Sequence, residues 1–543
     1  MRRRVTKKLM AVTMAIATTV SLVGCGNSSD TNVTSEDKLT QTAVAGEVQN
    51  AGTQADEGIS EDSPYRGMGF DLSEHETIRF YSVGERPQDT DMVLEKINKE
   101  YLEPWLNTTL EVEFISWGDL GTKYSLLLSG GDKCDLIFTS SWCNYNSEVG
   151  NGAFKELDRE WIQKYMPLSY PIQASESWDQ ISISGKIYAV PSNSATFTGY
   201  NVITFRKDIL DKYGITDINS WDTMKEALYT IDENEGANGL YANGQRSSNE
   251  FGDHLWNQYT GVDALAFDFM YYTHNSEELP DWDKDVFYKY TSDNYYQYCE
   301  EMAEMAAHNV WSPTRINDTS DPQQNFISGK TASIIWNGAA VSTGIEMEKT
   351  GIGTFEVFDV TPNALARRDS YANSATAIPA SCENPERAAL VLDCLKGNRE
   401  VNTLIVGGIE GVHYTLVDGK HKATDVATNY PWGGWAWSLQ DNDSPAEYTE
   451  DSRNEKFGNI CDAKEYAPKA AGFSFDTQPV ETEMAVINSI IEEYAQSFNL
   501  GIFGDDTKAK YDEFVDKLNK AGLDKVEKEC KNQYMTYCES KKN

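Results

Sequence analysis

The most constraining feature of this chain is a strand–helix alternation that begins at Thr77. Thr77–Val83 reads as a strand and ends at Gly84. A helix from about Asp89 to Tyr101 follows, with Val93, Leu94, Ile97 and Tyr101 on one face. Leu110–Ile115 alternates as a second strand, Tyr124–Leu128 is helical up to Gly130-Gly131, and Asp135–Thr139 is a third, apolar strand. A β-α-β-α-β order predicts a parallel sheet in an α/β fold. In such sheets ligands bind beyond the carboxyl ends of the strands. Those ends are Val83-Gly84-Glu85 and Ser140-Ser141-Trp142.

The alternation recurs in altered form downstream. Lys186–Val190 and Asn201–Phe205 read as strands separated by the polar stretch around Ser192–Thr198. Helical segments dominate from Asp208 to about Asn309, and Ala332–Trp336 is another apolar strand. Three helices close the chain. One starts near Pro479 with a stripe of Met484, Ile487, Ile491 and Tyr494, one starts near Thr507, and one carries Val526 and Cys530.

The N-terminus is of another kind. Arg2, Arg3, Arg4, Lys7 and Lys8 precede an apolar run from Leu9 to Val23, which ends in Leu22-Val23-Gly24-Cys25. Basic start, short apolar run and small-residue cut site make a secretory signal over 1–24. The run is short of the ~20 apolar residues of a membrane span. Its cysteine ending resembles a bacterial lipobox, which implies that Cys25 is lipidated and becomes the mature N-terminus. From Gly26 to Pro64 there is no aromatic residue. Such a segment cannot bury enough apolar surface to order itself, so 25–70 is expected to be a flexible tether. As a coil of about 40 residues its mean reach is roughly 35 Å.

Charge and cysteine content narrow the functions available. The net charge is −38, and losing the basic leader makes it more negative, which argues against nucleic acid as a partner. The six histidines are scattered and make no metal-ligand spacing. Asp441-Asn442-Asp443-Ser444-Pro445 has calcium-loop character, but Pro445 stands in a ligand position and Ala446 where glycine is needed. No nucleophile elbow, zinc-protease or phosphate-loop motif is present, so neither a metal, a cofactor nor catalysis is expected. Eight cysteines remain after Cys25 and none forms a CxxC pair. Cys530 and Cys538 lie eight residues apart on one helix, about 12 Å, too far to bridge. Most of these cysteines read as buried free thiols, with one or two bridges still open.

Gly185-Lys186-Ile187-Tyr188-Ala189-Val190-Pro191, then Phe205–Ile215 and Ser220-Trp221, resemble the extracellular solute-binding proteins of ABC importers, the maltose-binding class. In that class the first segment leads into a hinge and the second opens the other lobe. Phe326–Ser333 looks like its second hinge approach, and Trp336-Asn337-Gly338 like a step that faces the cleft. Asp135–Trp142, Gly152–Asp158, Gly472–Asp476 and Ala521–Glu529 are similar to one branch, large lipoproteins with an extra C-terminal domain of unknown function.

The resemblance implies a type II periplasmic-binding-protein-like fold. Two α/β lobes are joined by hinge strands: 71–195 with 337–375 as lobe 1, 196–336 with 376–470 as lobe 2, and a helical region at 471–543. It implies a lipid-anchored monomer on the outer face of the cell membrane that passes solute to permease subunits. Carbohydrate is the expected cargo, with peptide or another polar solute, or an exported carbohydrate-active enzyme, as the alternatives. Sugars offer apolar faces and a rim of hydroxyls, so their sites want aromatic rings and fixed polar groups. Candidates are Trp142, Glu85 (beside Arg86), Asn193, Tyr200, Trp336, Asn337 and the Gly-flanked Trp432, Trp435 and Trp437, whose alternative role is to wedge the C-terminal region onto a lobe.

Overall fold

The computed structural model describes residues 58–194, 200–245, 250–266, 269–273, 278–318, 320–433, 438–439 and 451–541. Cys25, the leader and most of the tether lie outside these residues.

The first lobe is built on β1 (Glu76–Val83), β2 (Thr108–Ile115), β3 (Leu136–Thr139) and β4 (Ala189–Pro191). β1 pairs in parallel with β2 and with β3, as the alternation requires. After β4 the chain crosses to a second lobe. There β5 (Val202–Arg206) is central to an antiparallel sheet, while β6 (Val262–Ala266), β7 (Met270–Thr273) and β8 (Val286–Tyr288) form another. β9 (Ser333–Trp336) and β10 (Phe355–Phe358) flank β5 in the order β10-β5-β9.

The chain then returns through β11 (Ala366–Arg367) to β12 (Ala375–Ala377). β12 inserts antiparallel between β3 and β4, which completes the order β2-β1-β3-β12-β4. Helices Pro385–Gly397 and Arg399–Gly407 pack on this sheet, and Ala388, Leu392, Val401 and Ile405 share its core. A hairpin of β13 (Tyr414–Val417) and β14 (Lys420–Ala423) follows. Helix Ser452–Ala463 and β15 (Glu465–Tyr466) lead to the C-terminal helices Glu481–Asn499, Thr507–Lys520 and Leu523–Ser540.

The packing divides the chain differently from the sequence-based boundaries. Residues 337–358 join the second lobe, because β10 pairs with β5 and the helix Ala339–Lys349 covers that sheet. Residues 376–407 join the first, because their helices fill its core. Phe326–Ser333 leads into a strand of the second-lobe sheet, and the return crossing is the segment 359–374. The C-terminal helices do not stand apart. Ile487, Phe498, Phe514, Val526 and Tyr534 share one apolar cluster with Phe205, Trp256 and Trp311 of the second lobe.

The tether also ends earlier than residue 70. Ile59, Tyr65, Phe70 and Leu72 are buried against the first lobe. The Tyr65 hydroxyl donates to Asp393 at 3.0 Å, and the same carboxylate accepts from Leu168 N at 3.1 Å and from Ser169 N and Oγ at 2.7 Å. Burial raises the Asp393 carboxyl above its ordinary value, and the bonds from Ser169, Leu168 and Tyr65 oppose that rise. Arg387 donates to the carbonyls of Asp71, Glu74 and Leu106. The short polar–apolar stretch at 58–72 gives no periodic signal of this docking, since Arg387 and Asp393 lie more than 300 residues away and even Trp105 and Tyr165 are well beyond local range.

All eight cysteines among the described residues are free thiols. Burial pushes Cys143 and Cys382 up to about 12, so neither is a ready nucleophile.

Two outcomes follow for stability. Asp393→Ala leaves buried donors without an acceptor and is expected to cost about 3 kcal/mol in urea unfolding. Glu235 ends the helix Trp221–Glu235 and accepts from Lys212, Tyr213 and Asn238, which hold its carboxyl at about 2 against an ordinary 4.5. Because the folded value is the lower one, this contribution is full above about pH 4.5 and is lost as pH falls towards 2. Urea midpoints at pH 6 and pH 3 should therefore differ less in Glu235→Gln than in the parent.

Candidate functional site

The first-lobe edge is set by strand direction. Because β1, β2 and β3 are parallel, Val83, Ile115 and Thr139 end on one side of the sheet. β4 ends there too, since β12 runs antiparallel to both of its neighbours. Gly84 leaves β1 with φ +102°, and a Cβ on it would lie 3.5 Å from the Trp117 indole. Glycine thus allows the turn and lets a ring lie over the backbone.

Trp117 is 48% exposed, with its ring centroid 6.3 Å from that of Trp142. Trp142 is half-buried against Phe138, and its Nε1 donates to the Asn373 carbonyl at 3.0 Å. One indole is therefore fixed by the return crossing while the other offers its surface to solvent. Glu85 is exposed on the same edge, and Arg86 is held by Asp91 at 2.7 Å.

The second lobe presents a matching edge. β5 begins where β9 and β10 end, because all three are antiparallel. Trp336 closes β9 half-buried and stacks on His254, with centroids 4.9 Å apart and planes at 26°. Asn337 accepts from Ala339 N at 3.0 Å and opens the helix Ala339–Lys349. A Cβ on Gly338 would sit 3.2 Å from the Phe457 ring. The first crossing runs from Pro191 to Val202, a reach of at most about 40 Å. It joins the sheet edge of Trp117 and Trp142 to the sheet edge of Trp336.

Other expected residues serve elsewhere. Tyr200 is fully buried, and its hydroxyl donates to Asp359 at 2.7 Å and contacts Lys464. Burial drives its phenol far above the usual value. The Asn193 amide is spent on the backbone of 172–174, accepting from Ala174 N at 2.9 Å and donating to the Ile172 carbonyl at 3.0 Å. Trp432 stacks on His421 at 3.7 Å and meets Tyr414 edge-on. A Cβ on Gly407 would overlap its ring at 2.1 Å. It wedges the β13–β14 hairpin onto the helix Arg399–Gly407, so its role is packing on the first lobe. Trp435, Trp437 and the Asp441–Pro445 stretch lie outside the described residues.

Trp117 is the residue that sequence reading missed, though it stands two positions past β2 much as Trp142 stands past β3. His254 and Phe457 carry no such signal, because tertiary packing alone brings them beside Trp336 and Gly338. Among the described residues, no group of three or more His, Cys, Asp or Glu side chains could hold a metal ion.

The family model for bacterial extracellular solute-binding proteins matches residues 94–401. The chain belongs to this family. A domain of unknown function, DUF3502, matches residues 469–539. A carbohydrate ABC transporter substrate-binding protein of Streptococcus pneumoniae serotype 4 is 25% identical over 489 residues, covering 87% of this chain and 93% of its own. Among solved structures, the N-glycan transport solute binding protein NgtS of S. pneumoniae superposes with a TM-score of 0.66 at 21% identity, over 86% of this chain and all (100%) of that one. Its complex with Man5GlcNAc gives 0.62 at 22% identity, over 86% and 99% of the two chains. An extracellular solute-binding protein from Bifidobacterium longum subsp. infantis gives 0.61 at 14% identity, over 85% and 98%. The solute-binding fold of this chain is thus the two-lobed one, with the hinge at the crossings.

Solute-binding proteins of this build should separate packing tryptophans from cleft tryptophans by experiment. Trp432→Ala is expected to lower first-lobe stability by about 2–3 kcal/mol in denaturant unfolding and to leave solute affinity within twofold.

Proposed function

We propose that the protein captures a carbohydrate, an oligosaccharide, between its lobes and delivers it to the membrane subunits of an ABC importer. The observation that carries this reading is the Trp117–Trp142 pair at one end of the first crossing and the Trp336–His254 stack at the other. Flat rings suit the apolar faces of sugar rings, and exposed Glu85 is an acceptor for hydroxyls on the same edge. The relatives add support, since one is named a carbohydrate ABC transporter substrate-binding protein and another was solved in complex with Man5GlcNAc. Contacts made to both edges exist only when the lobes approach, so ligand shifts the population towards closure.

The protein works outside the cell as a monomer held by lipid on Cys25 and performs no chemistry on its cargo. No helix among the described residues is long and apolar enough to cross a membrane.

Calorimetry against a panel of oligosaccharides and peptides tests the cargo. Heat from glycans alone is expected, and heat from peptides alone would replace the reading. Trp117→Ala should weaken the best glycan about tenfold, about 1.4 kcal/mol, with an unchanged unfolding midpoint. Unaltered affinity would move the site away from this edge. Cys25→Ala should shift the protein from the membrane fraction to the medium, and continued lipid labelling would refute the anchor.

A further inference from the structure

The matched domain of unknown function has no role in the scheme above, yet it is built into the moving parts. Its helices are sealed into the second lobe. Trp311 Nε1 donates to the Leu500 carbonyl at 3.1 Å, Tyr511 to Ser292 at 3.0 Å and Tyr534 to Pro280 at 2.7 Å.

The strand that leads into the domain is sewn to the hinge. β15 pairs in parallel with β11 inside the return crossing, with Ala366 N donating to Lys464 O and Arg368 N to Tyr466 O, both at 2.8 Å. The Lys464 ammonium adds a second tie, reaching both Tyr200, where the first crossing ends, and Asp359, where the second begins.

Just beyond, the strap Pro468–Asp476 turns to the first lobe. Ser474 Oγ lies 3.4 Å from the Asn146 amide oxygen. Gly472 lies beside the first lobe, where a Cβ on it would be in ordinary contact with the Asp179 carbonyl at 3.9 Å. Strap, return crossing and both lobes line a partly open pocket of about 220 Å³, whose walls include Gln180, Arg367, Phe269, Tyr272 and Phe475. Trp117, Trp142, Trp336 and His254 do not line it, but Ser141 beside Trp142 and Asn373, which accepts from the Trp142 indole, do.

We propose that the C-terminal region is a clasp on the hinge, which moves with the second lobe, grips both crossings through Lys464 and β15, and limits lobe swing where its strap meets Asn146 and Asp179. A body fixed to one lobe and touching the other must change that contact whenever the lobes turn. The geometry therefore gives this region control of the open–closed equilibrium.

The proposal depends on lobe motion and not on what is carried, so its first test uses ligand-free protein. In Lys464→Met, amide hydrogen exchange across 359–374 is expected to rise at least fivefold while β1 and β2 keep their protection. Unchanged exchange in the crossing would overturn the clasp, and so would an equal rise in both lobes, which signals plain destabilisation. The second test joins Asn146→Cys to Ser474→Cys with a short disulfide-forming cross-linker, mapped by peptide mass. With the bridge in place, the ligand-induced change in solution scattering should vanish, and reduction should restore it. A bridged protein that still compacts on ligand would overturn the proposal. An unbridged protein that answers to no glycan would instead refute the cargo and leave the exchange result standing.

Discussion

The structure depends on three residues that enter a sheet from the far side of the molecule. Ala375–Ala377 lie between β3 and β4, antiparallel to both, after the chain has built most of a second lobe. Without them β4 has no partner, and the first lobe has no edge from which to launch a crossing. Their burial is complete, and every side chain is small, as a strand flanked on both sides and covered by helices requires. Fixing this strand anchors the return crossing at one end, while β10 anchors it at the other. The freedom left between them is the hinge.

The same insertion ties the candidate cleft to the hinge. The Trp142 indole hydrogen-bonds the carbonyl of Asn373, two residues before the inserted strand. Ser141 N makes a parallel bond to Ala372 O at 3.0 Å. The aromatic edge of the first lobe is therefore positioned by the return crossing that links it to the second lobe.

Legibility varied with the range of the interaction. β1, β2, β3, β5 and β9 were readable to within two residues, because their apolar patterns are local. The C-terminal helices were readable from the stripe of Ile487 and Tyr494, both of which are buried. Trp142 and Trp336 were singled out by a rule about strand ends, and each does stand at or just past the end of its strand, half-buried. Tyr200 was misjudged, since its polar neighbours Asp359 and Lys464 come from distant segments and turn a hinge-side phenol into an internal tie. Trp432 follows a proline and precedes two glycines, which suggests a free loop, yet the missing side chain at Gly407 gives its ring a socket. The exchange of 337–358 and 376–407 between lobes has the same origin. Strand pairing, not chain order, decides membership of a sheet, and a helix such as Pro385–Gly397 carries no mark of which sheet it will cover.

By itself the sequence carried a basic, cysteine-ended leader pattern, a polar stretch behind it, the strand–helix order of an α/β body and a set of aromatic residues past strand ends. These are consequences of local composition and of periods of two and 3.6 residues. Tertiary structure alone decided which segments complete each lobe, that Tyr65 and Asp393 end the tether on the first lobe, that Trp117 pairs with Trp142, and that the C-terminal region is sewn to the hinge. Each of those rests on hydrogen bonds or ring contacts between residues far apart in the chain, whose free energy appears only when distant surfaces meet and exclude water together.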